Sequence, residues 1–415
     1  MRIFISAGEP SGDLHAANLL RALQSRLPGA EFFGFGGPKL ESAGARLLYP
    51  LVNLSVMWFG RVLLNMHKFL GLISQADRAF LEEKPDAVVL IDYPGLHWWL
   101  ARRAKARGIP VFYYVPPQIW AWFPWRVRKV RKYVDHVLCS LPFEPPWYHA
   151  RGVPGATFVG HPYFDELKDR PLDESLIALE RSKGGLVVTI LPGSRTQEIT
   201  RNFPVMLRAA RLLSEAHPEA RFLVACLHER HQALAEEIAQ AAGAGDLPLA
   251  IHAGKTAELI RLAQVAWAVS GSVGLELMNE AVPTVVLYTV KPIDLLIARP
   301  FIKARFISLV NLLAGREIIP EYLTAQDAAP DLARWARLWL EEPEERARVS
   351  AELAALREQV AQPGASDRAA ERIAEVVLLK RSTHPAHGEP VGRHAGQAQA
   401  SGPKDGRGGG LRGAR

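Results

Sequence analysis

A chain of 415 residues is long for one domain and comfortable for two, and 48% apolar residues supply a sizeable core. The net charge of +7 gathers at one end: residues 380–415 hold seven Lys/Arg against two acids, so the body is nearly neutral and the basic balance does not point to nucleic acid. No run of about 18 uncharged apolar residues occurs, which excludes a spanning helix; the longest candidate, residues 51–73, is broken by Arg61, His67 and Lys68. The first residues already read as a strand, so no signal peptide is expected. Cys139 and Cys226 each lie in an apolar run and read as buried free thiols of a reducing cytoplasm.

In chain order, "RIFIS" (2–6) reads as a strand, 14–27 as a helix, and "EFFGFGG" as a strand ending in glycines. "DAVVLID" (86–92), "IPVFYYV" (109–115) and "HVLCSLP" continue the strands, with a helix over 97–107. Continuous β-branched runs separated by helices predict a parallel sheet covered on both faces. Between 151 and 185 the pattern turns polar and proline-punctuated, as in a linker. The alternation then restarts with "GLVVTILPGSR", a helix over 203–216, "RFLVACL", "LPLAIHAG", "VAWAVSGS" and "VPTVVLYTV". The expected class is α/β, with two doubly wound Rossmann-like domains facing a cleft, over 1–165 and 166–340. Helices over 341–380 would pack back on the first domain or on a partner, and 381–415 would form a disordered basic tail. Ligands should bind at the carboxyl ends of the strands.

Four strand ends carry candidate chemistry. The turn Gly8-Glu9-Pro10-Ser11-Gly12-Asp13 lacks G-x-G-x-x-G, and no acid ends the next strand, so a nicotinamide cofactor is not expected. Its two carboxylates would repel a pyrophosphate; Ser11 or Asp13 could equally cap the helix. Asp92 tips a buried strand, where a carboxylate is costly unless paired or open to a cleft. That position suits a general base, or a helix cap. "LPGSR" sets Ser194 and Arg195 at a helix start, suited to a diphosphate, although Arg195 could simply be solvated. "SGSVGLE" offers Gly271, Ser272 and Gly274 as turn amides and Glu276 as an acceptor for ribose hydroxyls. Glu276 and Glu280 lie one turn apart on one face, and Glu also favours a helix N-terminus for dipole reasons. Together these divide the labour of a sugar-nucleotide transferase: donor in the second domain, acceptor and base in the first.

With "AGEPSGDLHAANL", "FGFGGPKL", "LIDYPGLHWWLARRAK", "YYVPPQIWAW", "LPGSRTQEI", "SGSVGLELM" and "SLVNLLAGREIIPEYL" in order, residues 1–375 resemble the lipid-A-disaccharide synthases. The resemblance implies a GT-B fold and an inverting hexosyltransferase that needs no metal or other cofactor. The implied donor is UDP-2,3-diacylglucosamine and the acceptor the 6-hydroxyl of 2,3-diacylglucosamine 1-phosphate (lipid X). The products are the β-1,6 lipid A disaccharide monophosphate and UDP. It further implies work at the cytoplasmic face of the inner membrane, peripherally attached. Residue by residue, it makes Asp92 the base and sets Arg195 on the diphosphate and Glu276 on the ribose. It adds Asn311 and Arg316 to the donor side, and puts Glu9, Ser11, Gly12 and Asp13 at the acceptor side of the cleft. Some members have Asp and Asn where this chain has Gly95 and His97, which leaves Asp92 with more of the burden. His97 could orient Asp92, but a histidine on the helix surface is the commoner outcome and the one expected.

Acylated substrates require an apolar surface. Residues 56–70, with Met57, Trp58 and Phe59, and residues 118–132, with Trp120, Trp122 and Trp125 beside five cations, suit a headgroup interface over anionic lipid. Helix packing is the alternative for the first stretch, and for the second half-buried tryptophans with cations outside. Two rivals share the architecture: a UDP-N-acetylglucosamine 2-epimerase-like enzyme, which takes no acceptor, and a non-catalytic saccharide- or lipid-binding protein. A homodimer is compatible with the helical C-terminal region.

Overall fold

The computed structural model describes residues 1–52, 66–121, 123–168, 170–293 and 305–383. The expectations for Met57, Trp58, Phe59, Trp122 and the tail beyond residue 383 lie outside them. Two parallel sheets form. The first runs β3-β2-β1-β4-β5-β6-β7, from β1 (Arg2–Ala7), β2 (Glu31–Phe35), β3 (Arg46–Tyr49), β4 (Ala87–Ile91), β5 (Val111–Tyr114), β6 (His136–Cys139) and β7 (Ala156–Phe158). The second runs β10-β9-β8-β11-β12-β13, from β8 (Leu186–Leu191), β9 (Ala220–Cys226), β10 (Leu249–Ala253), β11 (Val265–Val269), β12 (Thr284–Thr289) and β13 (Glu321–Thr324).

The inner strands read as unbroken apolar runs because helices cover both faces. All five residues of β4 are buried, as are all five of β11. In each sheet the strand order reverses once, between β1 and β4 and between β8 and β11. The crevice at such a reversal is where doubly wound sheets bind ligands.

Helices begin earlier than the sequence reading places them. Pro10–Arg26 and Pro94–Ala106 each carry proline in the first turn, where the missing N–H costs nothing. Thr196–Ala216 starts seven residues before the expected 203, with Glu198 reaching back to accept from the Arg195 N–H at the N-cap, and tolerates Pro204 inside. Of the C-terminal helices, Ala329–Glu341 and Pro343–Val360 join the core of the second sheet through Trp339, Val349, Leu353 and Leu356. Ala365–Thr383 crosses back, packs on Pro10–Arg26, and buries Ile373 and Val377 in the first core.

Two chain crossings therefore join the lobes, and they bind each other. Asp165, in the first crossing, accepts from the backbone N–H of Gly364, Ala365 and Ser366 at 2.6, 3.1 and 2.9 Å. Arg368 donates to the carbonyl of Val159 at 2.8 Å. A further apolar contact joins Trp120, Leu141 and Phe143 of the first lobe to Leu309, Leu312 and Leu313 of the second. The carboxyl ends of the two sheets thus face one another.

Candidate active site

The reversal in the first sheet sets the end of β1 beside the end of β4. Gly8 follows β1, and a Cβ there would lie 2.3 to 2.7 Å from three atoms of the Tyr93 ring, so a larger residue would displace that ring. Glu9 then precedes the Pro10–Arg26 helix. Burial raises the Glu9 carboxyl first, the Asp92 charge raises it further, and Arg195 opposes both. Ser11 is exposed, and Gly12 lies close to the Ile91 carbonyl at the end of β4. Asp13 is buried with both oxygens occupied: Gly37 N–H and Leu40 N–H donate to Oδ1 at 2.8 and 3.2 Å, and Lys39 N–H to Oδ2 at 3.0 Å. Asp13 therefore ties the first turn to the turn after β2.

Asp92 and Tyr93 both adopt left-handed backbone, with φ 51° and 48°. Burial raises the Asp92 carboxyl; the Tyr93 backbone N–H and the charges of His15 and Arg195 oppose it. The Asp92 carbonyl accepts from Tyr113 Oη at 2.7 Å and from His97 Nδ1 at 2.6 Å. His97 Nε2 pairs with Ser6 Oγ of β1 at 2.9 Å. His97 is 0% exposed, so the expected helix-surface histidine is instead a core residue, drawn inward by two hydrogen-bond partners. His15, buried on the Pro10–Arg26 helix, pairs with Glu166 at 3.0 Å.

The second reversal faces this cluster. The Arg195 side chain is 73% exposed, and its charge acts on both Glu9 and Asp92. The anion-friendly turn before it already holds a carboxylate of the chain itself. Glu198 accepts from Ser194 N–H at 2.9 Å and from the Arg195 guanidinium at 3.0 Å. Gly193, at φ 130°, makes room for the Glu198 side chain. After β11, Gly271 and Ser272 are exposed at the cleft, and Gly274 lies in the first turn of the following helix.

Glu276 is buried, with both oxygens engaged by the first crossing. Tyr163 Oη donates to one at 2.7 Å and Arg170 Nη1 to the other at 2.9 Å. Burial raises the Glu276 carboxyl, against the pull of those two partners. Asn311 is fully buried and spends its amide on its own loop: Nδ2 on Ile319 O and Glu321, Oδ1 under the N–H groups of Ile318 and Ile319. Arg316 points away to Glu352 at 2.6 Å.

The structure therefore brings Glu9, Asp92 and Arg195 together, with Ser194 after β8 and Gly271 and Ser272 after β11 at strand ends of the second sheet. It engages Asp13 and Asn311 within the fold and ties Glu276 to the linker. Trp120 also departs from its expected membrane contact. It is 8% exposed, donates to Glu144 at 3.0 Å, stacks edge-on with Phe143 and packs against the second lobe. Trp125 is 59% exposed, with the Arg126 guanidinium 5.6 Å from its ring centre. Sequence reasoning missed Ser6, His15, Tyr93, Tyr113, Tyr163, Arg170 and Glu198. For Ser6 and Tyr163 the partners lie 91 and 113 residues away, so no local spacing could reveal them. Glu198 stands three residues after Arg195, which is not a capping residue type, so no capping-box signature marked it.

A family model described as lipid-A-disaccharide synthetase matches residues 3–377. A lipid-A-disaccharide synthase of Anaeromyxobacter dehalogenans is 39% identical over 91% of this chain and 97% of its own length. That of Myxococcus xanthus is 37% identical over 381 residues, again 91% and 97%. Solved structures share the fold at low identity. The UDP complex of Staphylococcus aureus MnaA superposes with a TM-score of 0.63 at 15% identity, covering 91% of this chain and 97% of that one. The glycotransferase of kitacinnamycin gives 0.61 at 17%, covering 90% and 98%.

Asp13→Ala should lower stability by about 3 kcal/mol, since it strands three backbone donors, and Asp13→Asn by about 1. In both, turnover should follow the folded fraction measured by chemical denaturation. Loss of turnover without loss of stability would instead put Asp13 on the substrate.

Proposed function

The chain belongs to the lipid-A-disaccharide synthase family, and on that premise we propose how its facing sheet reversals carry out the transfer. It is a GT-B glycosyltransferase of lipid A biosynthesis that uses a UDP-sugar donor. The proposed reaction joins C1 of UDP-2,3-diacylglucosamine to the 6-hydroxyl oxygen of lipid X. The observation that carries the reading is the opposition of Asp92, a carboxylate held in a buried field, to the permanently charged Arg195 across the cleft.

Asp92 takes the proton of the acceptor hydroxyl as its oxygen attacks C1 from the face opposite the leaving group, which inverts that centre. A burial-raised carboxyl accepts a proton more readily than an ordinary aspartate. The bond from C1 to the diphosphate breaks, and negative charge grows on the departing UDP. Arg195, Ser194 and the turn at Gly271, Ser272 and Gly274 take up that charge. A well-placed donor of this kind contributes on the order of 3 kcal/mol. The stabilisation needs no metal ion, so turnover should continue in chelator. Glu276 receives the ribose by exchanging Tyr163 or Arg170 for sugar hydroxyls. Asn311 and Arg316 shape the donor loop from behind. Glu9, Ser11 and Gly12 face the acceptor sugar.

The epimerase-like reading shares the fold but takes no acceptor. Mass spectrometry of the product formed from both acylated substrates decides between them: a disaccharide monophosphate supports the transferase, and UDP released without acceptor supports the rival. Asp92→Ala should abolish transfer and leave UDP affinity nearly intact; unchanged turnover would remove Asp92 from the base role. The ionised carboxylate is the active form and its pKa is raised. Turnover should therefore fall on the acid side at a pH above the ordinary aspartate value of about 3.9.

The membrane contact is assigned to the exposed face near Trp125, with Arg126, Arg128, Lys129, Arg131 and Lys132, at the cytoplasmic side of the inner membrane. Co-sedimentation with anionic vesicles at low salt should capture the protein, and Trp125→Ala should weaken capture. Equal recovery with neutral vesicles would argue against that face.

A further inference from the structure

Consecutive left-handed residues with side chains are unusual, and each costs about 1–2 kcal/mol unless its surroundings hold it. At Asp92 and Tyr93 those surroundings converge on a single atom, the Asp92 carbonyl oxygen. Tyr113 Oη and His97 Nδ1 both donate to it, at 2.7 and 2.6 Å, while the Asp92 N–H reaches the Tyr114 carbonyl at 3.3 Å. A carbonyl cannot donate, so His97 must carry its proton on Nδ1. Nε2 is then an acceptor, and Ser6 Oγ donates to it at 2.9 Å. One tautomer satisfies both bonds.

The imidazole has no exposure to the cleft. Burial pushes it down to about 3, so it stays neutral and moves no proton in the reaction. Its chain of bonds starts on β1 and ends on the residue after β4, the two strands that flank the sheet reversal. The Asp92 carboxylate shares its Cα with the backbone so held, and its direction follows.

We propose that His97, oriented by Ser6, is a positioning residue that fixes the left-handed backbone of Asp92 and so aims its carboxylate at the acceptor hydroxyl. This rests on the reading of Asp92 as the base.

The two nitrogens of His97 can be tested separately. An Asn amide nitrogen falls near the place of Nδ1 and keeps the bond to Asp92. A Gln side-chain end falls near the place of Nε2 and keeps the bond to Ser6. His97→Asn should retain kcat within about tenfold. His97→Gln should lose on the order of 100-fold in kcat, the scale of a 1 Å misplacement, with KM and UDP affinity unchanged. Melting temperatures should fall similarly in both. A merely structural histidine predicts equal kcat in the two variants, or a loss that follows stability, and either result overturns the proposal. Ser6→Ala removes only a hydroxyl and keeps the test open if the His97 variants fold poorly: a kcat drop with intact UDP affinity supports it, and full kcat overturns it. Asp92→Ala run alongside separates the failures. Turnover surviving there sinks the base reading itself, whereas a dead Asp92→Ala with equal His97 variants sinks only the positioning role.

Discussion

One carboxylate sets how the two lobes meet. Asp165 collects three backbone N–H groups at the start of the Ala365–Thr383 helix, so the chain leaving the first lobe grips the chain returning to it. The N-terminal donors of a helix have no partners within it, and a carboxylate there also meets the favourable end of the dipole. The two crossings become one joint. Every residue pair that spans the cleft, Asp92 with Arg195 or Trp120 with Leu312, depends on that joint for its alignment.

Buried and half-buried carboxylates recur among the described residues, and several of them fall into two kinds. Asp13, Asp165 and Glu144 each sit under backbone N–H groups, and each organises a turn or helix start. Burial lifts the Glu144 carboxyl up to about 7, against its bonds to Trp120, Ser140 and Leu141. Glu9 and Asp92 differ in place: burial raises them as it does Glu144, but these two lie in the field of Arg195 and border the cleft. Groups whose environment works against their charge are the ones that can exchange a proton with a substrate.

Much of the fold was legible because a sheet covered on both faces writes itself as unbroken apolar runs, as in "AVVLI" and "VAWAV". The edge strands β3, β7 and β13 were not, since each is three or four residues long and mostly half-exposed. Helix starts slipped where Pro10 and Pro94 looked like loop residues. In the site, strand-end positions such as Asp92 and Arg195 could be picked out from the order of elements alone. What their side chains touch could not. Asp13 and His97 are explained by partners 24 to 27 and 91 residues away, distances over which a sequence carries no periodic signal.

The carboxylate of Glu198, resting on Ser194 and Arg195, gives the Arg195 guanidinium a counterion from its own helix. A bare guanidinium in an open crevice would gather any stray anion from solution. On the proposed donor reading, an incoming diphosphate competes with this ion pair, which at this exposure is worth no more than about 1 kcal/mol. A diphosphate carrying several charges and further contacts crosses so low a threshold easily, while a simple anion gains little by the exchange. On that reading the turn favours discrimination over raw attraction, through a side chain one turn along its own helix.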